Sequence, residues 1–459
     1  MIKSSNRQGY FIIFIFIFAL FLRIGYALLE RIIPYSEAAA GAAYNEAAGF
    51  DEIGKHIALG KGYRMSDGPI ENDEAAFWPP GYAFFLGIIY IIFGHSYPAL
   101  WIIQSIIGAL ICILTFFIAN RLFDPRVARV SAIISAACFN LVIYPAMVLS
   151  ETLFLLLLLI CFIYIYKADT LNSNIKYLFG GIIAGLSVLT RPVILIFFLF
   201  YSLFSLKKNS RGILLFLFPI IILVSFWIAR NYHVYQRFVP ISIGPGEVFW
   251  AGHHLISTGE FVVPVEMPKD LAGQEYIKID NLGYRQGLEF IVKHPIRTLL
   301  LELRKVSLFF SLLRTDAWWP HMKGIDRVLS FALSVLFNLL IFGCGIIGIV
   351  FSYAKVNKHI SWLRRFIFIS ILSLIPFIVE ARYRLTIYPF MIIFAGYALV
   401  LLPGIRSAFI LKDKRIIYLS YLSMILFTLF ILNSVYDLSC VDDIALRMHI
   451  LKSGIPIPW

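Results

Sequence analysis

Charged residues are scarce in this sequence. Asp, Glu, Lys and Arg make up only 15% of the chain, whereas hydrophobic residues make up 60%. A soluble domain is normally about one quarter charged and no more than about half apolar. The imbalance argues against an ordinary soluble enzyme. It predicts an integral membrane protein, because apolar runs of about 20 residues are what a bilayer core requires.

Several motifs of catalysis and metal binding are also absent. The sequence contains neither a Walker loop nor an HExxH motif, which argues against ATP-driven transport and zinc-protease activity. The five cysteines fall mostly in apolar runs and lack metal-like spacing. His253 and His254 resemble a ligand pair, but adjacent histidines point apart on a strand and no third ligand is evident. We expect no metal site, and a divalent cation is the only cofactor left open.

The apolar runs predict an all-α polytopic membrane protein with about eleven transmembrane helices. The first run, Tyr10 to Leu29, is too long for the core of a signal peptide and is interpreted as a spanning anchor. The predicted spans cover residues 10–29, 98–119, 129–147, 153–168, 177–190, 193–206, 212–229, 328–352, 366–380, 385–403 and 415–433.

The charge pattern predicts the orientation of the chain. With the N-terminus in the cytoplasm, 18 of the 40 Lys and Arg residues fall in short cytoplasmic loops, and only three acids share that side. Cytoplasmic loops of membrane proteins carry such an excess of Lys and Arg. The net charge of +13 is therefore a topology signal, and we expect no nucleic-acid partner.

Two large loops and a short tail are predicted on the outer side of the membrane. The loops cover about residues 30–97 and 230–327, and the tail covers residues 434–459, so that residues 1–433 form the transmembrane domain. The apolar segment 79–93 is about 15 residues long, which is short for a span. We expect it to be a re-entrant or interfacial helix on the outer side.

Acids and arginines collect at this outer side. Charges near membrane depth are costly, and they usually mark a pathway, a partner or a site. Converging arginines suit a phosphate, which guanidinium groups can bind through paired hydrogen bonds. Carboxylates beside them suit a general base. The candidate catalytic acids are Glu46, Asp51 and Glu151, and the candidate phosphate-binding residues are Arg191, Arg230, Arg382, Tyr383 and Arg384.

Structural roles for the same residues stay open. A single arginine at the end of a span, such as Arg230, can be an interfacial anchor, and Glu151 can simply pair with an arginine. Asp51 can lie on the polar face of an amphipathic helix, because Phe50 and Ile53 supply an apolar stripe at helical spacing.

Six short sequence motifs, taken in chain order, resemble those of a known family over about residues 8–400. That family is the GT-C glycosyltransferases of the dolichyl-phosphate-mannose–protein mannosyltransferase type, a superfamily that includes the lipid A aminoarabinose transferase. The acidic helix ending in GKGY and the PPGY motif are the more specific of the six. The motifs are EAAGFDEIGKHIALGKGY, AFWPPGYAFFLGIIYIIFGHS, LSETLFLLLLL, GLSVLTRPVIL, ARNYHVYQRFVPIS and ARYRLTIYP.

The resemblance implies the GT-C fold and an inverting transfer of a sugar from a polyprenyl-phosphate donor. The acceptor would be a lipid, a glycan or a protein at the outer face of the cytoplasmic membrane. The segment of about residues 46–59 would be the catalytic helix. Glu46 stands where the family usually has Asp, and we choose it as the base, with Asp51 as the alternative. The two side chains lie five residues apart, about 140° around a helix, so they cannot easily share one face.

Other functions fit parts of the pattern. A transporter or flippase for a lipid-linked substrate would need polar groups at mid-depth in several spans, whereas the ionisable residues here collect toward one side. A polysaccharide polymerase or ligase would use similar outer-face arginines. The sugar, the acceptor and the oligomeric state cannot be derived from the sequence.

The predicted orientation can be tested with reporter fusions. A reporter fused after Arg211 or Arg365 should be active on the cytoplasmic side, and one fused within residues 255–275 should be active outside, because the cationic excess lies on the other face. Paired fluorescent-protein and alkaline-phosphatase fusions measure this. A cytoplasmic signal from the fusion within 255–275 would contradict both the orientation and a reaction on the outer face.

Overall fold

The chain folds into a bundle of helices. The computed structural model describes residues 2–31, 42–69, 73–206, 209–262, 264, 275–313, 325–355, 357–410 and 413–439, and these ranges contain no strand. The helices are α1 (Ile2–Arg31), α2 (Ala42–Ala58), α3 (Pro80–Phe93), α4 (Tyr97–Leu122), α5 (Pro125–Ala137), α6 (Phe139–Val142), α7 (Glu151–Leu171), α8 (Asn174–Thr190), α9 (Ile194–Leu206), α10 (Ser210–Tyr235), α11 (Pro245–Ala251), α12 (Glu275–Lys293), α13 (Pro295–Phe309), α14 (Ile325–Asn338), α15 (Gly345–Ser352), α16 (Lys358–Leu374), α17 (Tyr388–Ile410) and α18 (Lys414–Ser439). Short 3-10 helices cover Glu74–Phe77, Tyr144–Ala146 and Ala381–Ile387, and a π-helical segment, Leu339–Cys344, joins α14 to α15.

Seven helical segments in the described part of the chain are long and apolar enough to cross a bilayer. An eighth is present if α5 and the residues 139–146 that follow it, bent by 65°, form one broken span. The all-α polytopic architecture is confirmed, but the predicted count of eleven is not. The seven segments are 7–29, 97–122, 151–171, 210–235, 328–352, 381–404 and 414–437.

The difference in count comes from short helices. Helices α8 and α9 are apolar but have only 17 and 13 residues. The predicted span 366–380 corresponds to α16, which begins earlier, at Lys358, and ends at Leu374. A helix rises about 1.5 Å per residue, so elements of this length fall short of a bilayer core of about 30 Å.

The two loops and the tail that were predicted on the outer side contain helices that the sequence only partly predicted. Helix α2 covers Ala42–Ala58, close to the predicted catalytic helix 46–59, and α3 is the short apolar helix expected at 79–93. Of the predicted tail, residues 434–439 still belong to α18, and residues 440–459 lie outside the described residues. Arg304 of α13 pairs with Asp437 at the end of α18 at 2.8 Å, which ties the second predicted outer loop to the helical bundle.

Helix α17 lies at the centre of the bundle, and glycine permits its closest contact. A side chain on Gly348 of α15 would collide with the backbone carbonyl of Phe394 in α17, so only glycine allows the two backbones to approach this closely. Residues 343–348, GCGIIG, have the spacing of a dinucleotide-binding motif, but they lie inside an apolar span and do not follow a strand. We therefore assign these glycines to helix packing.

Candidate functional site

The candidate site begins at the first turns of α2, where Glu46 lies. The indole Nε1 of Trp78 donates a hydrogen bond to the backbone carbonyl of Glu46 at 2.9 Å, which holds this part of the helix against the chain that enters α3. The Glu46 carboxylate accepts a hydrogen bond from Nη1 of Arg382. These residues are separated by 336 positions, so the contact joins the first predicted outer loop to the segment before α17.

Arg382 lies between two carboxylates. Its Nε donates to Glu380 Oε2 at 2.6 Å, while its Nη1 pairs with Glu46. Arg382 is buried, whereas Glu46 and Glu380 are both partly exposed. The sequence analysis missed Glu380, although its position two residues before Arg382 in VEARYR was a usable signal. Charge-assisted hydrogen bonds of this kind are roughly twice as strong as neutral ones.

A second ion pair lies beside the first. Arg191, immediately after α8, approaches Glu151, the first residue of α7, with 2.6 Å between Nη1 and Oε1. Glu151 is fully buried and Arg191 is partly exposed. The Tyr383 ring centroid lies within 6.0 Å of the guanidinium carbons of both Arg191 and Arg382, so one aromatic ring contacts both arginines.

These contacts define one cluster, which we call the charge cluster. It consists of three carboxylates and two guanidinium groups around one tyrosine, and four of the six residues are partly exposed. Its chemistry combines anion-binding groups with carboxylates that can accept a proton. The members are Glu46, Glu151, Arg191, Glu380, Arg382 and Tyr383.

Asp51 lies outside the charge cluster. As the helical geometry of α2 requires, its carboxylate turns away from the side on which Glu46 meets Arg382. It is buried at the α2–α3 contact, where Tyr90 donates to Oδ1 at 2.5 Å, Tyr97 donates to Oδ2 at 3.0 Å and Lys55 lies 3.0 Å from Oδ2. His95 lies 3.0 Å from Oδ1.

The neighbours of Asp51 change its acidity. Burial by itself would raise the pKa of Asp51, but hydrogen bonds from Tyr90, Lys55 and His95 hold the pKa below its usual value. A carboxylate with a lowered pKa and occupied oxygens is a weak proton acceptor. The surroundings of Asp51 are those of a structural anchor between α2 and α3.

Arg230 is connected to the charge cluster only indirectly. Its Nη2 donates to the carbonyl of Tyr63 at 2.8 Å, and its guanidinium carbon lies 5.1 Å from the Trp227 ring centroid. The Tyr63 hydroxyl donates to the carbonyl of Trp78 at 2.5 Å, and Trp78 in turn holds the backbone of Glu46. Arg230 therefore supports the loop after α2, with part of its side chain exposed.

Arg384 points away from the charge cluster. It is fully buried, and its Nη1 donates to the carbonyl of Ser311 at 2.7 Å. Its guanidinium carbon lies 5.7 Å from the Phe342 ring centroid. In the RYR sequence, the two arginines thus face different partners. Arg384 fastens the end of α13 to the segment before α17.

The two adjacent histidines also contact different partners. His253 Nε2 lies 3.0 Å from Glu302 Oε1, and His254 Nε2 lies 2.9 Å from the carbonyl of Val262. Lys305, which is fully buried, donates to the same Glu302 oxygen at 2.8 Å. Within the described ranges, no group of three or more His, Cys, Asp or Glu side chains is arranged to hold a metal ion.

The role of Asp51 as an anchor can be tested by pH. Asp51→Asn should lower the melting temperature at neutral pH, and the deficit should be smaller at roughly pH 3. Because the folded-state pKa lies below the usual value of 3.8, the stabilisation is complete above that value and is lost as the pH falls through the folded-state pKa. Thermal unfolding in lipid nanodiscs measures the difference.

The matched control is Asp67→Asn. Asp67 also pairs with a lysine, Lys61 at 2.7 Å, but its side chain is exposed, and exposed pairs contribute little to stability. We expect almost no change in its melting temperature at either pH. If Asp51→Asn lowered the melting temperature by the same amount at both pH values, the stabilisation by Asp51 would not be electrostatic.

Sequence comparison supports one family for part of the chain. A family model described as dolichyl-phosphate-mannose-protein mannosyltransferase matches residues 78–229. This range includes Glu151 and Arg191 of the charge cluster but neither Glu46 nor Arg382. No curated protein sequence matches the chain.

Structural comparison covers almost the whole chain. The Archaeoglobus fulgidus oligosaccharyltransferase with a tethered acceptor peptide aligns with 98% of this chain at 16% identity and a TM-score of 0.50. Its apo form aligns with 93% at 15% identity and the same score. The chain spans 56% and 54% of those proteins, so it corresponds to about half of their length.

A third structure is similar at a lower level. ArnT from Cupriavidus metallidurans bound to undecaprenyl phosphate aligns with 88% of this chain and 79% of its own, at 13% identity. Its TM-score of 0.37 is below the level that supports a structural argument. Taken together, the family match and the oligosaccharyltransferase alignments show that the chain is a polytopic membrane protein with the GT-C fold, and that residues 78–229 match the dolichyl-phosphate-mannose-protein mannosyltransferase family.

Proposed function

We propose that this protein is a glycosyltransferase that moves a sugar from a polyprenyl-phosphate donor to an acceptor at the outer face of the cytoplasmic membrane. The observation that carries the proposal is the charge cluster, in which two guanidinium groups and three carboxylates from four separate parts of the chain meet beside one tyrosine. The family matched by residues 78–229 is named for a dolichyl-phosphate-mannose donor, which supports a lipid-linked sugar phosphate.

In the proposed site, Arg191 and Arg382 bind the donor phosphate. Each is now paired with carboxylates, Arg191 with Glu151 and Arg382 with Glu46 and Glu380. A phosphate is a stronger partner for a planar guanidinium than one exposed carboxylate, because it offers several oxygens to the same fork. Arg382 has two carboxylates to exchange, and Glu46 is the one that would give way.

The release of Glu46 would couple donor binding to catalysis. While paired with Arg382, its lone pairs are engaged and it is a poor base. When the phosphate takes its place, the carboxylate becomes free to accept a proton from an acceptor hydroxyl. The exchange would therefore produce an active base only when the donor is bound.

The proposed chemistry is a single inverting displacement, as the family resemblance implies. The acceptor oxygen forms a bond to the anomeric carbon while the bond from that carbon to the phosphate oxygen breaks. The acceptor proton moves to Glu46, and the electron pair leaves with the phosphate. Arg191 and Arg382 stabilise the negative charge that grows on the leaving phosphate, and one such contact is typically worth ~10²–10³ in rate.

The surroundings of the two candidate bases favour Glu46 over Asp51. Glu46 belongs to the charge cluster and is partly exposed, whereas Asp51 is buried among four fixed partners. A general base needs access to the acceptor as well as a free lone pair. The Asp51 carboxylate meets neither condition.

The acceptor and the sugar can be identified in cells. Mass spectrometry of the surface glycans of a deletion strain and its parent should reveal one missing sugar if the protein is a transferase. An accumulated lipid-linked glycan without a missing modification would favour a polymerase, ligase or flippase. Assays of membranes with and without EDTA test the divalent cation that the sequence left open.

Glu46→Gln should reduce transfer by ~10²-fold or more, which is the usual scale for loss of a general base. Binding of undecaprenyl phosphate should persist or tighten, because Arg382 loses a competing carboxylate. Complementation of the deletion strain measures transfer, and fluorescence titration of the purified variant measures binding. Glu52→Gln on the same helix is the control, since the Glu52 side chain pairs with Lys55 and is 44% exposed. Near-normal transfer by Glu46→Gln would show that Glu46 is not the general base.

Arg191→Lys and Arg382→Lys should each weaken undecaprenyl phosphate binding at least several-fold while expression stays normal. Lysine keeps the charge but lacks the planar guanidinium group, which can donate two hydrogen bonds at once to a carboxylate or a phosphate. Arg285→Lys, an exposed arginine on α12, is the matched control and should behave as wild type. If both cluster variants bind the lipid phosphate with unchanged affinity, the phosphate assignment fails.

A further inference from the structure

Arg23 is a fully buried cation with an unusual set of partners. It lies on α1 within the first candidate span and has no exposed surface. Its guanidinium donates to the carbonyls of Ala19 at 3.0 Å and Ala136 at 3.2 Å, and more weakly to the carbonyl of Ser135 at 3.4 Å. All of these acceptors are neutral. A buried charge without a counter-charge costs several kcal/mol in general, so the surroundings of Arg23 call for an anion nearby.

A small cavity separates Arg23 from Glu151. The volume of the cavity is about 10 Å³, which is about the minimum that can hold one water molecule. Its walls also include Gly108, Thr152 and Leu385. Three polar atoms of its lining residues lack a hydrogen-bond partner in the described structure: Nε of Arg23 and both carboxylate oxygens of Glu151. Of the two oxygens, Oε1 is ion-paired with Arg191, so Oε2 is the one left for a further partner. Gly108 makes room for the guanidinium, because a side-chain carbon there would lie only 2.5 Å from Nε.

The charge balance of the cluster also favours a third cation nearby. Its three carboxylates, Glu46, Glu151 and Glu380, exceed its two guanidinium groups by one. Arg23 is the buried guanidinium across the cavity from Glu151, and its charge brings the sum to zero. Arg23 and Glu151 are both fully buried, and opposite charges attract each other more strongly in such low-dielectric surroundings than in water.

We propose that one buried water bridges Arg23 and Glu151, and that Arg23 is a positioning residue for the candidate site. The water accepts a hydrogen bond from Arg23 Nε and donates one to Glu151 Oε2. The other oxygen, Oε1, holds Arg191 at 2.6 Å. Arg23 thus fixes the rotation of the Glu151 carboxylate, and through it the direction in which Arg191 points. This last step rests on the proposed function, in which Arg191 binds the donor phosphate.

A double-mutant cycle tests the coupling without any substrate. Arg23→Gln and Glu151→Gln should each lower the melting temperature in nanodiscs, because each leaves an uncompensated partner in the interior. In the double variant the loss should be no larger than that of the worse single variant. The control cycle combines Arg23→Gln with Asp51→Asn, whose losses should add. Additive losses in the Arg23–Glu151 cycle would overturn the coupling.

Binding of undecaprenyl phosphate tests the positioning role. Arg23→Gln should weaken the affinity several-fold, and Arg23→Lys should recover part of it, because lysine restores the charge and can still reach a water. Arg7→Gln, an exposed arginine on the same helix, should leave the affinity unchanged. Equal affinities of wild type and Arg23→Gln would overturn the positioning role.

The two proposals fail in different ways. If wild-type protein does not bind undecaprenyl phosphate, the proposed function fails, while the melting cycle still decides whether Arg23 and Glu151 are coupled. If Arg23→Gln does not fold, the cycle is repeated with Arg23→Met, which removes the guanidinium but keeps an unbranched side chain in the apolar span, and additive losses again overturn the coupling.

Discussion

The contact of Arg382 with Glu46 and Glu380 is the interaction on which the candidate site depends. It connects α2, from the first predicted outer loop, to the segment that enters the central helix α17. Ion pairs at a water-exposed surface contribute little, but removing one partner of a buried pair is costly, because the remaining charge has no solvent to replace it. The low-dielectric surroundings therefore make the arrangement of charges specific. Under the proposed function, a bound phosphate would compete with these carboxylates for Arg382.

Helix α2 has two kinds of acid, and their surroundings separate their roles. Asp51 faces α3, where it is surrounded by hydrogen-bond donors that lower its pKa and hold it ionised as an anchor. Glu46 is partly exposed and pairs with Arg382 in the charge cluster. Both residues are acids of one short helix, yet only Asp51 is buried.

The sequence predicted part of this site for reasons that can be stated. Apolar run lengths and the asymmetric distribution of Lys and Arg indicated a polytopic protein, and the excess of acids and arginines on one side indicated where the site would lie. Five of the predicted residues meet in the charge cluster: Glu46, Glu151, Arg191, Arg382 and Tyr383. Arg384 does not, because residues two positions apart on a 3-10 helix point in different directions, and its guanidinium instead meets backbone carbonyls.

The sequence by itself determined the class of the protein, because hydrophobic length and charge count are properties of the chain read in one dimension. It also determined that the two acids of α2 would diverge, since helical geometry follows from their spacing of five residues. Only the tertiary structure decided which acid meets which arginine, that Glu380 shares Arg382, and that Arg23 lies across a cavity from Glu151. Glu46 and Arg382 are 336 positions apart, and no local pattern specifies such a pair. Their contact depends on how α2, α7, α8 and the start of α17 pack together, which is set by side-chain volume and by glycine at the close helix contacts.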